Sequence, residues 1–300
     1  MTNQIKENTK FLTGNYAKQE RAMSLTPIAS LSTTKGKARP VLEVKKIING
    51  LVHEFSSSQK PTYKDMHYFQ AIISIAGNRL AKVGDKALVE KAYDNDVVRD
   101  LVNEMTDKDI ELKKCYGYGS QIYIETSYYE ILKKSGHHDG TNSRELLTQS
   151  LRRLGKIIHD VYNEGDESQG YNEMFLKHRY NKKTGVITIV INSFSSKALT
   201  SQFTLIDLSV KSYFLKNERA LALYDFIVAR VGHKEQQHFN MDRVIKIIED
   251  KEEKEPIDKQ TRNKYKKILL QLKDILPDWD IGTYGIGSKL VFNIDRGNQN

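Results

Sequence analysis

One pattern occurs twice in this chain and limits its fold more than any other feature. A short capped helix is followed by a polar break, a longer helix with a basic or amide-rich start, and strands able to form a hairpin. The first copy runs through Ser127–Ile191 and the second through Asn240–Ile294. The chain has 300 residues, enough for two domains with real cores.

In the first copy, Ser127 and Glu130 can form a capping box that opens a helix, and Gly136 can close it. After the loop Gly136-His-His-Asp-Gly140, Asn142 with Glu145 is expected to cap the next helix. Its apolar face is Leu147, Leu151 and Leu154. Arg144, Thr148, Gln149, Arg152 and Arg153 are left for another surface, with Thr141, Asn142 and Ser143 at the helix start. Strands are expected at Ile157–Tyr162, Tyr171–Tyr180 and Val186–Ile191. The turn Asn181-Lys-Lys-Thr-Gly185 gives the last hairpin a basic tip, with Lys177 and Arg179 on its stem and Lys182 and Lys183 at the end.

The second copy follows a supporting helix capped by Asn217, whose stripe is Ala220, Leu221, Tyr224, Ile227, Val228 and Val231. A short helix is expected near Asp242–Asp250, then the charged connector Lys251-Glu-Glu-Lys-Glu-Pro256. Asp258 caps a long helix that buries Tyr265, Ile268, Leu269, Leu272 and Ile275. Its start carries Lys259, Gln260, Thr261, Arg262, Asn263, Lys264, Lys266 and Lys267. Two strands around Gly285-Ile286-Gly287 complete the copy, with Lys289 beside the turn.

Short helix, turn, long helix and hairpin is the order of a winged helix-turn-helix. In that fold the long helix lies in a major groove and its first turns reach base edges. Arg suits the two guanine acceptors, and Asn or Gln suits adenine; lysines suit phosphates. The fold class expected is therefore α+β, with two tandem winged helix-turn-helix domains. A Lys-rich helix face can also be mere solvated surface, and a basic hairpin tip an ordinary turn.

Charge favours a polyanion. The net charge is +9, and residues 1–50 hold nine cations against three anions. Residues 1–40 are polar and aperiodic and are expected to be a disordered basic arm. After it, Asn49-Gly50 between apolar runs predicts a hairpin. Thr62 with Asp65 predicts a capped helix through Phe69, Ile72, Ile73 and Ala76, ending at Gly77. Val97, Val98, Leu101 and Val102 point to a further helix. The expected domains are the arm 1–40, a first unit 41–205 and a second unit 206–300.

Other classes fit poorly. There is no transmembrane-length apolar run, no signal-like h-region and no G-x-x-x-x-G-K-[ST] loop for ATP. The single cysteine, Cys115, cannot form an internal disulfide. His137 and His138 are adjacent in a loop, a poor metal pair for a nickase. The chain is expected to be cytoplasmic, not an enzyme, and without cofactor or metal.

The whole arrangement resembles the plasmid replication initiators with tandem winged helices, and most closely the RepC-type initiators of IncQ plasmids. The segments that carry the resemblance are Tyr68-Phe-Gln-Ala-Ile-Ile-Ser-Ile-Ala-Gly77, Arg144–Lys156, Glu218-Arg-Ala-Leu-Ala-Leu-Tyr-Asp-Phe226, and Arg262–Leu276 leading into Trp279. It covers about Val41 to Asp295. The resemblance implies double-stranded DNA as partner, at origin repeats (iterons). It also implies local duplex opening and support for loading a replicative helicase, with host initiation proteins as further partners. Homodimerisation and repression of its own promoter, hence copy control, stay open. A transcriptional regulator of the same fold is the main rival, and a DNA nickase a lesser one.

Overall fold

The computed structural model describes residues 15–20, 24, 26–32, 38–48, 50–83, 95–105, 121–199, 203–232 and 234–297. Cys115 and the Gly117–Gly119 segment lie outside these residues, as do Lys6, Lys10, Arg21, Lys35 and Lys37 of the arm.

Strand β1 is Tyr16–Glu20, and β2 (Leu42–Ile48) folds back on β3 (Leu51–Ser57) with Ile48 opposite Leu51. Gly50 makes that reversal at φ +78, where a Cβ would be strained. Helix α1 is Tyr63–Val83. Its capping box is complete: the Thr62 N–H donates to Asp65 at 2.8 Å, and the Asp65 N–H to the Thr62 hydroxyl at 3.2 Å. Gly77 does not end α1, because Leu80 beyond it still packs on the core. That burial outweighs the roughly 1 kcal/mol a helical glycine costs.

Next come α2 (Asp96–Met105), β4 (Ile122–Thr126), α3 (Tyr128–Lys134), α4 (Thr141–Leu154), β5 (Ile158–Asn163), β6 (Asp166–Met174), β7 (Leu176–Tyr180) and β8 (Ile187–Ile191). The single strand expected at Tyr171–Tyr180 is two. β6 pairs with β5, β7 pairs with β8, and the chain changes sheets at Phe175. Phe175 is fully buried against Phe69, with ring centroids 4.4 Å apart. One large apolar side chain at the joint therefore serves both sheets, whose strand orders are β2-β3-β5-β6 and β4-β8-β7.

The chain continues with α5 (Ser193–Lys197), β9 (Phe203–Asp207), α6 (Leu208–Ser212) and α7 (Glu218–Arg230). Then follow β10 (Gln236–Asn240), α8 (Met241–Glu249), α9 (Lys259–Ile275), β11 (Asp280–Tyr284) and β12 (Val291–Asp295). The last three strands form a sheet in the order β10-β12-β11. This matches β4-β8-β7: in each, the strand before the short helix pairs with the last hairpin strand. The duplicated pattern in the sequence is thus a duplicated topology within a mixed α+β chain.

The arm is not wholly without structure. β1 pairs antiparallel with β9, Ala17 is fully buried, and the Lys18 ammonium sits 4.0 Å over the Phe203 ring. Ile28 and Ala29 enter the first core, while Ala17 enters the second. Residues 16–20 are mostly polar and pair with a strand nearly 190 residues away in sequence, at Phe203–Asp207. No local pattern reports such a partner.

A buried polar network joins the units. Lys211 is fully buried and its ammonium donates to Asp225 at 2.7 and 2.8 Å and to the Gln70 side-chain carbonyl at 2.5 Å. The Gln70 amide donates to Gln19 at 2.9 Å, so α1, β1, α6 and α7 share the network. Lys60 adds an ion pair to Asp250 at 2.9 Å.

Removing Asp225 leaves Lys211 buried and unpaired. Asp225→Ala is expected to cost about 3–5 kcal/mol in urea unfolding, whereas replacing both residues by apolar ones costs far less. Stability should also fall with acid. His159 and His67 are kept neutral well below 6.5 by burial first, helped by His53 and Lys211 respectively; His53 is held at about 4 by burial and then Lys197. The unfolded chain takes these protons and the folded one does not. Stability is therefore full above about 6.5 and declines as pH falls below it, by about 1.4 kcal/mol per pH unit for each histidine. Denaturation midpoints between about pH 7 and about pH 5 check this.

Candidate nucleic-acid interface

Each long helix turns its apolar stripe inward and leaves a polar stripe outside. α4 buries Leu147, Leu151 and Leu154 and exposes Thr141, Asn142, Arg144, Glu145, Leu146, Gln149 and Arg152; Ser143 is half-buried. Its N-cap is Gly140, with no side-chain cap, so Asn142 is not the cap the sequence predicts. Asn142 instead stands exposed in the first turn. α9 buries Thr261, Tyr265, Ile268, Leu269 and Leu272 and exposes Lys259, Gln260, Asn263, Lys264 and Lys267, with Lys266 half-buried. Asp258 caps it by accepting from the Thr261 N–H at 2.8 Å and hydroxyl at 2.7 Å. Those bonds hold the Asp258 carboxyl below its usual range and remove Thr261 from the surface.

Several arginines expected at this surface are engaged elsewhere. Arg153 forks onto Asp65 at 2.9 and 2.6 Å, and Ser150 donates to the same carboxylate at 2.5 Å. Asp65 is 1% exposed. Burial works to raise its pKa, but the bonds and charge of Arg153 hold it below the carboxylate norm. Arg153 thus pins α4 to α1. Arg144 and Arg262 each occupy the fourth residue of their helix. Arg144 forks onto Asp139 at 2.6 and 2.7 Å, and Arg262 onto Asp242 at 2.7 Å to both oxygens. The two units use one device at one position: an arginine that locks the long helix to the segment before it. Arg262 keeps 18% of its side chain in solvent and Arg144 keeps 52%.

The hairpins lie at the same end as these helix starts. In the first unit Tyr128, at the start of α3, bonds Thr148 of α4 at 2.9 Å and packs edge-on against Tyr180 of the hairpin stem, 5.2 Å between centroids. In the second, the Arg262–Asp242 fork ties α9 to the start of α8, and the Asn240 amide donates to the Ser288 carbonyl of the hairpin turn at 3.0 Å.

The hairpins themselves differ. Lys182 and Lys183 are exposed at the first tip, where the Asn181 side chain accepts from the Lys183 N–H at 2.9 Å. Lys177 and Arg179 on the stem are paired with α2: Lys177 with Glu104 at 3.4 Å, Arg179 with Asp100 at 3.2 Å and Glu104 at 3.4 Å. Lys289 and Ser288 are exposed beside the second tip, where Ile286 stands between Gly285 and Gly287. Ile286 stands exposed in the turn where the sequence places it, between Gly285 and Gly287, and Leu146 is exposed beside the buried face of α4.

Among the described residues no cluster of His, Cys, Asp and Glu could hold a metal ion, and no helix is long and apolar enough to cross a membrane.

No family model matches the chain, and no curated protein matches it. Among solved structures it is similar to domains 2 and 3 of RctB. A selenomethionine structure of those domains gives a TM-score of 0.45 at 11% identity, covering 89% of this chain and 93% of that one. A second structure of RctB domains 2–3 gives 0.44 at 13% identity, covering 92% and 96%.

The arginines separate by stability. Arg153→Ala strands the Asp65 carboxylate and should cost about 3–5 kcal/mol in chemical denaturation. Arg152→Ala, one residue away and exposed, should stay within about 0.5 kcal/mol. Equal losses would overturn the assignment of Arg153 to the α1–α4 junction.

Proposed function

We propose that this chain is a replication initiator that grips an origin as duplex DNA through two winged helix-turn-helix units. The observation that carries the DNA reading is the repeated geometry: a helix with a polar outer stripe, a hairpin at its N-terminal end and the same three-strand order, twice in one basic chain. α4 and α9 enter successive major grooves, about one helical turn apart on one face of the duplex. Gln260 and Asn263, with Asn142 and Gln149, are the base-reading groups, since amides can pair with adenine through two bonds. Lys259, Lys264, Lys267, Lys182, Lys183 and Lys289 hold phosphates. Arg144 and Arg262 act through their aspartates, orienting each helix.

The initiator reading, rather than a promoter-binding regulator, rests on the resemblance of Arg144–Lys156 and Arg262–Leu276 in their order to the tandem initiators. It carries with it iteron binding, opening of an adjacent AT-rich segment and loading of a helicase. A gene with its flanking repeats that sustains an otherwise replication-deficient plasmid supports it; repression of transcription without replication supports the regulator. Incubation with supercoiled DNA and a divalent metal should leave the DNA unnicked.

Two measurements test the grip. Affinity for a cognate duplex should fall steeply with salt, and Lys264→Ala or Lys267→Ala should each reduce the log–log slope by about 1. Gln260→Ala or Asn263→Ala should cost about 1–3 kcal/mol on the cognate site and relax the preference at one position. A flat salt response would remove the two-groove picture.

A further inference from the structure

We infer that Ile286, at the tip of the second hairpin, is a wedge that enters the minor groove and unstacks a base step, kinking the duplex where this unit binds. The inference rests on the DNA reading above and adds to it a deforming residue.

Ile286 is 85% exposed, more than any other large apolar side chain among the described residues. A single exposed apolar residue is ordinary on a protein surface. This one is distinguished by how it is held. Gly285 lies at φ +82, and a Cβ there would stand 2.4 Å from the Lys289 carbonyl oxygen. Gly287 lies at φ +58. Between these two glycines the turn closes on itself, with the Lys289 N–H donating to the Ile286 carbonyl and the Leu290 N–H to the Gly287 carbonyl, both at 3.2 Å. The turn is also braced on α8: Asn240 donates to the Ser288 carbonyl at 3.0 Å, and the Met241 N–H to the Leu290 carbonyl at 2.9 Å. A β-branched side chain adds its own stiffness at χ1. The tip is thus a rigid apolar point.

Its position and chemistry agree with a wedge. The Arg262–Asp242 fork brings the start of α9 to the start of α8, against which the turn is braced, so Ile286 projects from the end that presents Gln260 and Lys264. An isoleucine side chain can neither donate to nor accept from a base edge or a phosphate. Apolar side chains inserted between base steps from the minor groove do partly unstack and kink the duplex. Lys289 beside it is placed for the flanking phosphates. The first hairpin carries Lys182 and Lys183 at its tip instead, so among the described residues only the second hairpin has this device. Flexible pyrimidine–purine steps such as TA would accept the wedge most readily.

The test uses the full chain and a duplex of about 30 base pairs, long enough for two major grooves with flanks, selected by the wild-type protein from a randomised pool. Affinity and bend angle of the bound complex are measured separately, the latter by circular-permutation electrophoresis. The wild type should kink the duplex by about 20–90°. Ile286→Ser should bind within about tenfold of wild type yet lose most of the kink, and Ile286→Phe should retain it. A wild type that binds without kinking, or an Ile286→Ser complex bent as much as wild type, overturns the wedge and leaves the DNA reading standing. Tighter binding of Ile286→Lys at unchanged bend assigns the tip to the phosphate backbone and equally overturns it. A wild type that selects no duplex at all overturns the DNA reading, and the wedge with it.

Discussion

A buried lysine fixes how the two units sit against each other. Lys211 has no water to solvate it, so its charge is tolerable only while Asp225 and Gln70 stay where they are. Gln70 belongs to α1 of the first unit, and Asp225 to α7 of the second. Any sliding of one unit over the other would break hydrogen bonds to a desolvated ammonium. Such a contact adds little net stability compared with apolar packing, yet it penalises wrong arrangements severely.

The same logic operates inside each unit at smaller scale. Asp65 gathers the start of α1, Ser150 and Arg153 into one buried knot. Arg144 and Arg262, at the same position of their helices, each fork onto a carboxylate of the preceding segment. Arginine suits these places because its planar fork meets both oxygens of a carboxylate at once. Three arginines expected at a DNA surface are thus held in ion pairs within the chain. The outer faces of α4 and α9 carry lysines, amides and a few exposed apolar groups.

The surfaces of the two units differ. α9 presents lysines and amides with few opposing charges, while α4 presents amides, Arg152, the exposed Leu146 and the acidic Glu145. The first hairpin is cationic at its tip, and α2 holds the stem cations in ion pairs. The second ends in an apolar point.

The duplicated pattern, the caps at Thr62, Ser127, Asn217 and Asp258, and the buried stripes of α4, α7 and α9 were legible in the sequence. Each depends on residues within a few positions of one another, so periodicity and capping chemistry report them directly. The strand at Tyr16–Glu20 was not legible, because its partner β9 is remote. Nor was the break at Phe175, which exists only because two sheets meet there. The roles of Arg153, Thr261 and Arg262 were read as contacts because charge and position are local facts, while the carboxylate that captures a guanidinium is usually not. By itself the sequence determined that there are two like units, the caps of most of their helices and which faces are apolar. Only the tertiary structure decided which polar groups remain free for a partner, since burial and ion pairing depend on what folding brings alongside.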